Sequence, residues 1–130
     1  MRIFDEKHNN MLDSAHFRFI QLDGNFIIFF NETVKENVEW EKFAIEFDSE
    51  EDAELKFEEL SNEAGWFSFN WDKKTLLNTF CFRRFYLSSD VNSDGIRNYY
   101  IVFWNNDQDQ FKIVYEERSK AIEDLKALVI

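Results

Sequence analysis

The chain contains no proline, only three glycines and a single cysteine. Without proline, and with so little glycine, its turns must come from Asn, Asp and Ser, whose short polar side chains hydrogen-bond to nearby backbone. One cysteine, Cys81, excludes an intrachain disulfide and any paired-cysteine metal motif, and reads as a small buried apolar residue in a strand. No apolar run approaches the roughly 18 to 20 residues of a membrane span, and MRIFDEKHNNML has no signal-peptide core, so the reading is a cytoplasmic protein without a membrane partner. His8 and His16 are the only histidines and do not form HxxxH, and Walker-type, GxGxxG and GxSxG patterns are absent. The expectation is therefore a non-enzymatic chain with no catalytic residues, cofactor or metal. DVNSDG at 90–95 matches the first half of an EF-hand loop, but position 12 would be Ile101 and the flanks read as strands, so a hairpin turn is expected.

Basic residues are also scarce: 15 Lys and Arg face 26 Asp and Glu, for a net charge of −11. Such a balance disfavours a phosphate-tracking surface over the whole molecule. The imbalance is local, because residues 31–63 hold three basic and thirteen acidic side chains, whereas residues 64–130 hold nine of each.

The 130 residues are 45% hydrophobic and 18% aromatic, with 16 Phe, enough to form one packed domain and unlike a disordered chain. HFRFIQL and NFIIFFN, joined by Asp23-Gly24-Asn25, read as a β-hairpin. Phe43, Ile45 and Phe47 alternate as a half-buried strand. A helix follows, with Asp48 or Ser49 as its cap, Glu50, Glu51 and Asp52 in its first turn, an inward stripe of Ala53, Phe57, Leu60 and Ala64, and Gly65 as its stop. TFCFRRFYL, NYYIVFW and QFKIVYE read as three further strands, with Phe80 and Phe82 pointing inward. A last helix runs from about Arg118, with Ala121, Leu125 and Leu128 facing the core.

The two strand-helix stretches share an apolar frame. At a constant offset of 68, Phe43, Ile45, Phe47, Ala53, Phe57 and Leu60 correspond to Phe111, Ile113, Tyr115, Ala121, Leu125 and Leu128. Upstream, FRF and FIIFF correspond to FCF and YIVFW if loop length varies, and RIFDEKHNNML and FSFNWDKKTLL pair as leading strands. The expected fold is α+β: one domain over 1–130 in two tandem βββ(β)α repeats, about 1–64 and about 65–130, with antiparallel curved sheets and two helices on a shared core. This element order resembles that of PUR-type and whirly-type single-strand nucleic-acid binders, and the resemblance implies a single-stranded nucleic-acid-binding module using the second repeat. Lys73, Lys74, Arg83 and Arg84, lying among Trp66 and Trp71, are the residues that could touch phosphates and stack bases.

The first frame carries eight carboxylates between residues 42 and 60, the second only four between 110 and 128. On the helical wheel Glu51, Glu54 and Glu58 flank one side of the outward face and Asp52, Glu59 and Glu63 the other, with Leu55 between them; Glu32, Glu36, Glu39 and Glu41 precede them in a loop. Glutamates at i, i+4 repel by a few tenths of a kcal/mol per pair, and Lys56 is the helix's only base. An exposed Leu inside a charged rim resembles an interface anchor. These residues predict a surface that covers a basic, nucleic-acid-handling partner protein, as an immunity protein or a phage-encoded anti-defence inhibitor would, in the manner of a nucleic-acid mimic.

Overall fold

A two-residue loop, Gly24 and Asn25, joins Phe19–Asp23 (β3) to Phe26–Phe30 (β4), and Gly24 takes φ +59°, which a side chain would resist. The computed structural model describes residues 1–31, 42–68 and 73–128. Ahead of this hairpin, Arg2–Asp5 (β1) pairs antiparallel with Asn10–Asp13 (β2), and a 3₁₀ turn covers Ser14–His16. After it come Lys42–Glu46 (β5) and the helix Glu50–Ser61 (α1). The second series is Trp66–Ser68 (β6), Thr75–Asn78 (β7), a 3₁₀ turn over Thr79–Cys81, Arg84–Val91 (β8), Arg97–Asn106 (β9), Asp109–Tyr115 (β10) and the helix Arg118–Ala127 (α2). The fold is α+β with antiparallel sheets.

The order strand, strand, 3₁₀ turn, three strands, helix thus occurs twice, and the registers repeat with it. Ile20 lies opposite Phe29 as Phe85 lies opposite Phe103, and Leu22 opposite Ile27 as Leu87 opposite Ile101. Phe29 faces Phe43 as Phe103 faces Phe111. The two 3₁₀ turns are fastened alike: the Ser14 N–H and hydroxyl donate to the Met1 carbonyl at 2.9 and 3.0 Å, and those of Thr79 donate to the Gly65 carbonyl at 2.7 and 2.6 Å. Phe17 meets Phe29 at 5.4 Å, and Phe82 meets Phe103 at 5.7 Å, so FRF corresponds to Phe82-Arg83-Arg84 and not to FCF as expected. The first three-strand meander leads into α1 as the second leads into α2.

The chain divides into two compact units, one ending at Thr79 and the other beginning at Phe80. This division differs from the repeat boundary near residue 65, because β6 and β7 join the sheet of the first repeat. That sheet runs β5-β4-β3-β7-β6, with β7 against β3. Asn78 secures the junction: its N–H donates to the Arg18 carbonyl at 2.7 Å and its side-chain amide to the Phe17 carbonyl at 3.1 Å. In the first unit Ala53, Phe57 and Leu60 of α1 pack on Ile20, Ile27, Phe29 and Ile45, with Ile3 and Leu12 of the β1–β2 hairpin closing the same cluster. In the second unit the sheet runs β10-β9-β8, α2 packs on it, and Ile101, Phe103, Ile113 and Ala121 are buried.

Three local expectations are corrected. The first helix stops at Ser61 with Asn62 as its cap, so Ala64 lies outside it and is exposed; Gly65, with φ +93°, belongs to the following turn. TFCFRRFYL is not one strand: the 3₁₀ turn breaks the alternation, so Phe82 is buried, Phe80 is 72% exposed, and Cys81 sits half-buried in the turn instead of buried in a strand. Leu125 of α2 and Leu128, which caps it, are only half-buried, and the buried residues of α2 are Ala121 and the carboxylate-bearing Asp124.

Asp124 is tolerated there because the Tyr115 hydroxyl donates to its Oδ2 at 2.6 Å. Burial, then the bond to Asp124, pushes the Tyr115 hydroxyl well above the usual phenol range. The folded state therefore holds this proton more tightly than the unfolded chain. Its contribution is complete below the unfolded phenol value of about 10 and is lost as pH rises beyond it. Tyr115→Phe is expected to lower stability by about 1–3 kcal/mol at neutral pH and to flatten the decline above pH about 10, both read from urea unfolding at a series of pH values. An unchanged slope in the variant would show that the pair does not act this way.

Candidate interaction surface on the first helix

Helix α1 begins where the sequence supplies a cap: the Ser49 hydroxyl accepts the Asp52 N–H at 3.1 Å, and Glu50, Glu51 and Asp52 sit at the positive end of the helix dipole. The inward stripe fixes the orientation of every other residue on the helix. Glu51, Asp52, Glu54, Leu55, Glu58 and Glu59 are all exposed. The structure brings these six together on one element and divides them into two flanks.

On the outer flank, Glu51, Glu54 and Glu58 enter no ion pair among the described residues. On the other flank charge is partly compensated. Lys56 reaches Glu59 at 2.9 Å, and Glu63 is half-buried against the Met1 ammonium at 3.2 Å, which makes it a structural contact more than part of the open face. Glu32, Glu36, Glu39 and Glu41 lie outside the described residues, as does Trp71.

The repeat supplies an internal reference. The offset of 68 that aligns β5 with β10 carries Glu50, the first residue of α1, onto Arg118, the first residue of α2. Asp52 then corresponds to Lys120 and Glu58 to Lys126, so the same helical positions bear opposite charge. The unit ending at Thr79 contains eight basic and eighteen acidic residues, while the unit from Phe80 contains seven and eight.

Sequence reasoning missed the β1–β2 hairpin as part of this surface. Ile3 and Leu12 point into the core, so the cross-strand pair Phe4 and Met11 points out, 53% and 56% exposed. The alternation in RIFDEKHNNML was the available signal, but two outward apolar residues are visible only once the hairpin register is known. Leu55, 56% exposed, is not an isolated anchor among carboxylates. It lines a groove of about 500 Å³ together with Phe4, Phe47, Asp48 and Asp52, over the buried side chains of Ile3 and Ile45.

The residues read as touching nucleic acid are distributed over both units. Trp66 packs against the first core, and Lys73 and Lys74 are exposed just before β7. Arg83 and Arg84 are exposed at the start of β8, where the Arg84 guanidinium lies 4.4 Å above the Tyr86 ring. The same sheet face holds Tyr100, with the Lys112 ammonium 5.9 Å from its ring centre. Asn92 closes the turn at 90–95, its side-chain oxygen accepting the N–H groups of Asp94 and Ile96 at 2.9 and 3.0 Å, while Asp90 accepts the Tyr100 hydroxyl at 2.9 Å. Among the described residues no group of three or more His, Cys, Asp or Glu is placed to hold a metal ion, and no helix is long and apolar enough to cross a membrane. No family model, no curated protein and no solved structure matches this chain.

Proposed function

We propose that the chain is a non-enzymatic acidic interaction protein whose α1 face covers a basic surface of a partner protein. The observation that carries this reading is the exposed, uncompensated row Glu51, Glu54 and Glu58, set against a repeat in which equivalent helix positions are neutral or basic. Charge that served solubility alone would have no reason to gather on one copy of a repeated frame. Like-charge neighbours on that helix weaken it, which is a cost that docking can offset. Proteins that handle nucleic acid present such basic surfaces, so an immunity protein against a nuclease or an inhibitor of a defence nuclease is the concrete form. The experiment is capture of a cationic partner from a host lysate by immobilised wild-type chain, beside a chain with Glu51, Glu54 and Glu58 changed to Lys. Equal recovery by both contradicts the reading.

A second reading, a single-strand nucleic-acid binder, has one observation in its favour: the face of β8–β10 that carries Arg84 on Tyr86 and Lys112 by Tyr100. Aromatic rings beside cations suit base stacking with phosphate contact. If this face is used, a labelled single-stranded oligonucleotide should be retarded in a native gel at low salt, and Lys112→Glu with Tyr100→Ala should release it. No retardation at low salt, where such binding is strongest, removes this reading.

A further inference from the structure

The groove beside Leu55 is lined by five carboxylates and three bases, and its ion pairs decide what it can accept. Lys7 is held by Glu46 at 3.4 Å and by Asp48 at 3.8 Å, Lys56 is held by Glu59 at 2.9 Å, and Arg2 turns to Asp13, outside the groove, at 3.9 Å. Glu6 and Asp52 remain without an ion pair among the described residues. The groove therefore combines exposed apolar walls, Phe4 and Leu55, with two uncompensated anions.

Resting on the docking role of the α1 face, we infer that this groove seats one apolar side chain of the basic partner, a Leu or Phe flanked by Arg or Lys. Charge complementarity selects this occupant. A second copy of the chain, at net charge −11, would bring like charge to the rim, and an acidic segment would meet Glu6 and Asp52 without compensation. A cation next to the seated side chain pairs with Asp52, whose carboxylate lies in the first turn of α1. Closing Phe4 and Leu55 off from water supplies the desolvated centre that an anchor needs, and the paired rim of Lys7 and Lys56 excludes solvent around it.

Fluorescence anisotropy with a labelled Arg-Leu-Arg-Phe-Arg peptide tests this, with Arg-Gly-Arg-Gly-Arg and Glu-Leu-Glu-Phe-Glu as controls. Wild type should bind the first peptide about tenfold more tightly than the second, the loss expected for one missing anchor, and should not bind the third. Phe4→Ser with Leu55→Ser changes only exposed side chains, and with unchanged circular dichroism it should remove the preference for the Leu/Phe peptide. Glu6→Gln with Asp52→Asn should weaken binding of both arginine peptides. Equal affinity for the two arginine peptides, no binding of either, or an undiminished preference in the Ser variant overturns the groove assignment. Partner capture that is lost in the triple-Lys chain but retained in the Ser variant removes the groove and leaves the acidic face standing; capture kept by both removes the docking role itself.

Discussion

Changing Glu51, Glu54 and Glu58 together to Lys should slow association with a cationic partner by on the order of 10²–10³-fold while leaving the fold intact. All three side chains are exposed, so the substitution opens no cavity and strands no buried group. The helix itself should tolerate the change. Glu50, Glu54 and Glu58 repel one another at i, i+4 in the wild type, and Glu54→Lys, one turn from Glu50, would convert one repulsion into an attraction. Against this, Glu51 favours the positive end of the helix dipole, a benefit that Glu51→Lys removes. The two effects oppose each other and each amounts to a few tenths of a kcal/mol, so net stability should move by less than about 1 kcal/mol. Circular dichroism and urea unfolding check the fold, and surface plasmon resonance against the captured partner measures the rate. A rate within a factor of about two of wild type, with the fold retained, would mean that these carboxylates do not steer the encounter.

The second large effect concerns stability and follows from the repeat. Phe29 and Phe103 occupy the same place in the two meanders, both fully buried, each in contact with the Phe that follows the 3₁₀ turn. Phe103 also touches Phe85 at 5.4 Å and Phe111 at 6.1 Å, so three rings would border the cavity left by truncation. Replacement of either phenylalanine by Ala is expected to cost about 3–5 kcal/mol, a large part of the roughly 5–15 kcal/mol that stabilises a natural domain. Equilibrium urea unfolding of the two variants reads this directly. A loss below about 1 kcal/mol at both positions would contradict the packing described for these meanders.

How much of this was legible in the sequence depended on which signals are local. The Asp23–Asn25 hairpin was readable because Asp-Gly between apolar runs is a strong turn signal, although the register makes Gly24 and Asn25 the two loop residues. The strand-helix frame was readable because its 19 residues align without a gap. The remaining correspondence was hidden by loop length: the β8–β9 hairpin is longer than β3–β4, so residues that share a register stand at different offsets. The 3₁₀ turns at Ser14 and Thr79 gave no pattern because they are fastened by one hydroxyl and one N–H to a distant carbonyl, Met1 in one repeat and Gly65 in the other. Pairing of β7 with β3 is a choice between edges, which periodicity does not encode. At the candidate surface, the sequence identified the acidic flank of α1, since exposure follows from the inward stripe. It could not identify the groove, whose walls come from β1, β5 and α1 and meet only through tertiary packing. Asp124 illustrates the same limit, because its burial beside the hydroxyl of Tyr115 follows from tertiary packing and leaves no mark in the local pattern.

The association rate of the captured partner, followed as ionic strength is raised, tests the central claim most directly. For wild type the rate should fall steeply with added salt as the field of the α1 face is screened, whereas the triple-Lys chain should start slow and change little. Coincident curves for the two proteins would contradict the account.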